Sequence, residues 1–150
     1  MSGGRWSATR SVIAAMLLLL FAVTSGCSGS GARDDLAQSL KETQAAVRSV
    51  ETALDQLDRG HTTRAAARVT AEDMSDQIGT AQQRIVTTST ATDAERALRE
   101  HCQQVIAAAL IAVLDAEDDL TASTVAVSTR AQLRAADRDV TSATTLVGQR

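Results

Sequence analysis

Residues 36–57 read LAQSLKETQAAVRSVETALDQL. Leu36, Leu40, Thr43, Val47, Val50, Leu54 and Leu57 recur in alternating steps of four and three. That spacing puts them on one side of an α-helix as a heptad seam of the a/d kind, whereas a half-buried strand would alternate at every second position. Asp34 and Asp35 stand just ahead of the seam, where the positive end of the helix dipole favours acids. Gly60 follows it as a stop signal. The seam predicts a first helix over 34–58.

The same stepping recurs downstream. Ala67, Ala71, Met74, Ile78, Ala81 and Ile85 mark a second helix over 63–88, with a thin apolar stripe weakened at Gly79. The polar run TTSTAT at 87–92 is a break. Thr92-Asp93-Ala94-Glu95 fits a capping box opening a third helix, whose stripe continues through Leu98, Cys102, Val105 and Ala109. The run VIAAALIAVL at 105–114 is apolar on all sides. It is too short to span a bilayer and is expected to be the most buried stretch, shielded by neighbouring helices. TASTVAVST at 121–129 has poor helix propensity. It leaves two divisions open: a fourth helix from near Ser123, or a third helix reaching Val127 and a fourth from near Thr129. Leu133, Ala136, Val140, Ala143 and Val147 form the body of the fourth. The pattern predicts an all-α, up-down bundle of four amphipathic helices over 34–148, with three helices, one of them long, as the alternative.

Ahead of the bundle the composition changes. Arg5, Arg10 and the amino terminus precede VIAAMLLLLFAV at 12–23, and no acid occurs before Asp34. Basic start, short apolar run and small residues are the order of a helical secretory signal segment over 1–26. The next residues, Thr24-Ser25-Gly26-Cys27, resemble the lipobox of bacterial lipoproteins, with Thr24 standing where Leu is usual. The resemblance covers the first 27 residues. It implies cleavage before Cys27 and a diacylated thiol there, hence a chain held by lipid (palmitate-type acyl groups) on the extracytoplasmic face of the cell membrane. Ser28-Gly29-Ser30-Gly31 then reads as flexible, and 27–33 as a tether.

From Cys27 onward Arg5 and Arg10 drop out, leaving 13 basic against 18 acidic residues and a net charge of −5. Trp6 and Phe21 drop out too, so this part has no Phe, Trp or Tyr. An acidic domain without aromatics lacks both phosphate neutralisation and base stacking, which argues against nucleic acid as a partner.

Candidate chemistry is sparse. Asp115, Glu117, Asp118 and Asp119 form the densest acidic cluster. It lacks the Gly and Glu of an EF-hand loop, since Leu120 and Ala126 stand at those positions. It reads as a weak cation site or as a helix end paired with Arg59, His61 and Arg64 across a hairpin. His61 and His101 fall far apart in that register, and no metal site or cofactor is expected. Cys102 reads as a buried thiol, or as a redox or intermolecular one. No nucleophile–base pair and no phosphate loop are found. The expectation is a non-catalytic helical interaction or scaffold module, binding a protein partner or itself through helix faces. The alternative is a binding protein for a small apolar ligand or lipid held between helices near Val105–Leu114.

Overall fold

The computed structural model describes residues 31–122 and 124–149. The expected signal segment and the lipidated Cys27 lie outside the described residues. Four α-helices and no strands are found among those described: α1 (Gly31–Asp58), α2 (Arg64–Thr87), α3 (Asp93–Thr121) and α4 (Val127–Gly148). They form the four-helix bundle, and the three-helix alternative falls away.

Adjacent helices pack around a ring that α4 closes against α1. Their directions follow from the cross-links. Arg84 of α2 reaches Glu42 of α1. Arg33 at the start of α1 donates to the Gln149 carbonyl at the end of α4 at 2.7 Å. Arg130 at the start of α4 meets Asp58 at the end of α1. So α1 and α3 run one way, and α2 and α4 the other.

The expected seams are the core. Leu36, Leu40, Val47, Val50 and Leu54 of α1 are buried, as are Ile78 and Ile85 of α2 and Leu133 and Val140 of α4. Thr43 sits in the seam and satisfies its hydroxyl locally, donating to the Ser39 carbonyl at 2.9 Å. Ser39, Ala46 and Ala53, seven residues apart, are buried beside the seam. They widen the α1 stripe to about three residues in seven, the width that suits a bundle helix. On α3, Val105 and Ala112 do the same. These two wide-striped helices touch across one diagonal, whereas α2 and α4 do not touch.

The helix ends follow local chemistry. After α1, His61 N–H donates to the Gln56 carbonyl at 2.8 Å and Gly60 N–H to the Leu57 carbonyl at 3.0 Å. This is a Schellman closure, and Gly60 takes the positive φ of 70° that it requires. Thr63 caps α2 through its side chain. Thr92 and Glu95 form the expected capping box on α3.

Three expectations need correction. Gly31–Arg33, read as tether, are the first turn of α1, because Arg33 is fixed by its bond to the end of α4. The α3–α4 break matches neither proposed division: α3 ends at Thr121 and α4 begins at Val127. The reason is Asp119, whose carboxylate receives Ala126 N–H at 2.8 Å and the Thr129 hydroxyl at 2.6 Å. It starts α4 where the β-branched run alone would not. Finally, Val105–Leu114 is not shielded all round. Ile106, Ala109 and Val113 are fully buried, but Ile111 is 59% and Leu114 43% exposed. α3 lies on the ring of the bundle, so one side of it has no neighbour.

Candidate functional site

The acidic cluster occupies the last turns of α3, at the end of the bundle that also holds the α1–α2 loop. Its four members have different roles. Asp119 caps α4 as described. No ion pair among the described residues reaches Asp115, Glu117 or Asp118. The expected partners Arg59, His61 and Arg64 make none either, and His61 is exposed in its loop. No three His, Cys, Asp or Glu side chains among the described residues are grouped as metal ligands.

The arginine that organises this end is Arg130, which the sequence reading did not single out. Its guanidinium meets Asp55 at 3.2 Å and Asp58 at 2.7 Å, and donates to the Leu54 carbonyl at 3.3 Å. α1 has no basic residue in its own last turn. Arg130, reaching over from α4, supplies the positive charge that the carbonyl end of a helix favours. The available signal was a heptad one: Arg130 follows the core position Thr129, where a helix carries residues that pair with its neighbour.

The α1–α4 seam is polar along its length. Gln44 donates to the Thr141 hydroxyl at 2.6 Å, and Arg48 pairs with Asp137 at 2.8 Å. A cleft of about 100 Å³ opens along it, lined by Glu51, Leu54, Asp55, Arg130, Leu133 and Arg134. Partial burial pushes the Glu51 carboxyl above the usual range, with the Asp137 and Asp55 carboxylates adding to the effect. A second cleft, of about 330 Å³, lies between α1 and α2 and is lined by Arg48, Ser49, Thr52, Ala53, Gln56 and Thr70. Neither includes a residue of Val105–Leu114.

Cys102 is fully buried on the core stripe of α3. Burial pushes its thiol up to about 11, away from the thiolate that redox chemistry uses. His101 beside it is exposed, and it lies in the opposite half of the bundle from His61.

The remaining feature is apolar surface. Ile111 and Leu114 lie on the outward side of α3, together with exposed Ala108 and Asp118. By length and composition Asp93–Thr121 would be long and apolar enough to cross a membrane. In the bundle its other side is core, from Cys102 to Leu120. No family model, curated protein or solved structure matches this chain.

Proposed function

We propose that this chain is a lipid-anchored protein of the bacterial cell envelope whose helical bundle acts through contacts with other proteins, without catalysing a reaction. The observation that carries the reading is the juxtaposition of Thr24-Ser25-Gly26-Cys27 with a bundle whose first helix starts at Gly31. Four residues of chain reach at most ~14 Å. Two or three acyl chains on Cys27 suffice for durable anchoring, whereas one is marginal. Lipid on Cys27 therefore tethers the bundle within that reach of the start of α1.

Contact rather than chemistry is supported by what the described surface offers. Its clefts are small and lined mostly by polar side chains. Its thiol is buried, its histidines lie apart, and Ile111 and Leu114 leave apolar surface on the outer side of α3. The test is fractionation of cells expressing the full-length chain and its Cys27→Ser variant, with metabolic labelling by an alkyne fatty acid. The expected result is a labelled chain in the membrane fraction, and an unlabelled variant that leaves that fraction. A wild-type chain with no label sinks the reading.

A further inference from the structure

We propose that the outer face of α3 between Ala107 and Asp118 is a docking surface for a basic, amphipathic segment of a protein partner; the proposal rests on the interaction reading above. Ala107, Ile111, Leu114 and Asp118 are spaced by four, three and four residues, so they share one line along the helix with Ala108 and Asp115 beside them. Ile111 is 59% and Leu114 43% exposed, and no other described helix covers this side of α3.

The chemistry of the occupant follows from the charge beside the apolar pair. From Val105 to Thr121 α3 carries four carboxylates and no Lys or Arg. Only Asp119 is engaged, as the cap of α4. Asp118 lies on the docking line and Asp115 beside it, both within two turns of Ile111. A partner helix with apolar anchors at helical spacing and Lys or Arg flanking them matches both halves of the face. Complementary charge of this kind steers encounter and fixes register. An anionic bilayer and a parallel second copy each bring like charge against these acids. α3 runs the same way as α1, so Ile111 and Asp118 stand ~27 Å and ~38 Å along it from Asp93 at 1.5 Å per residue. The face therefore lies towards the end of the bundle opposite the start of α1.

The test is site-specific photo-crosslinking of the full-length chain in living cells. A photoreactive residue is placed at Ile111 or Leu114, with Val86 of α2 and Thr145 of α4 as reference positions. The expected result is adducts from Ile111 and Leu114 to one protein, whose linked peptide carries at least two Lys or Arg within two helical turns. Their yield falls at least fivefold in a D115N/D118N background and is unchanged in a D34N/D35N background. Adducts to a second copy, to lipid, or to a peptide without basic residues overturn the proposal, as does a yield indifferent to D115N/D118N. Adducts only from Val86 or Thr145 overturn this surface and leave the interaction reading standing. No adduct from any position sinks both.

Discussion

Ile106 and Ile111 are five residues apart on α3, within one apolar run. Ile106 is fully buried, while Ile111 keeps 59% of its surface in water. At 100° per residue they point ~140° apart around the helix. Ile106 faces the core, and Ile111 faces solvent. The contrast teaches that a run apolar on all sides records two separate demands, one from the fold and one from whatever meets the outside. Inner positions keep the heptad step through Cys102, Ile106, Ala109, Val113, Ala116 and Leu120. Outer ones pass from Ala108 and Ile111 into acids.

The largest expected effect separates the two faces directly. Ile106→Ala removes buried methylenes from a closed core and is expected to destabilise by ~2–5 kcal/mol. Ile111→Ala is expected to stay within ~0.5 kcal/mol of the parent. Urea unfolding of both variants checks this, and equal losses would mean that the outer face is covered. Next comes the junction where the two faces end. Asp119→Ala removes the acceptor of the Ala126 N–H and leaves the buried Thr129 hydroxyl without its partner, for an expected loss of ~1–2 kcal/mol. The same change at exposed Asp118 is expected to do nearly nothing. Smaller again is Gly79→Ala on α2. A Cβ there meets no atom within 4 Å, and the helix interior prefers Ala, so a gain of ~0.5–1 kcal/mol is expected in thermal melts.

The last effect is one of pH. Bonds from Ala91 N–H at 2.8 Å and Thr92 N–H at 3.2 Å hold the Glu95 carboxyl below its ordinary 4.5. A carboxyl lowered in the folded state adds stability above the unfolded value, and that stability is lost as pH falls through the folded value. Stability at the α3 start is therefore expected to fall below pH 4.5. Glu95→Gln should flatten that part of the pH profile, and an unchanged profile would remove Glu95 as its source.

Much of the fold was legible because heptad steps report directly which side of a helix is buried. Thr92 and Glu95 announced the α3 cap through a short-range motif, and Gly60 announced the α1 stop. The α3–α4 boundary was not legible, because Asp119 acts on Ala126 and Thr129 seven and ten residues away, across a turn. Arg130 went unread for a related reason: its partners Asp55 and Asp58 are more than 70 residues off. The exposure of Ile111 was hidden by composition, since an all-apolar run has no polar side to show which way it faces. Cys102 was readable as a core residue from its place on the stripe.

Lipid on Cys27 is proposed to hold the bundle to a membrane. The most direct measurement is mass spectrometry of the amino-terminal peptide of the full-length gene product purified from membranes. The expected result is a mature chain whose first residue is Cys27 carrying a diacylglyceryl group. A chain that begins elsewhere, or a Cys27 without lipid, would contradict it.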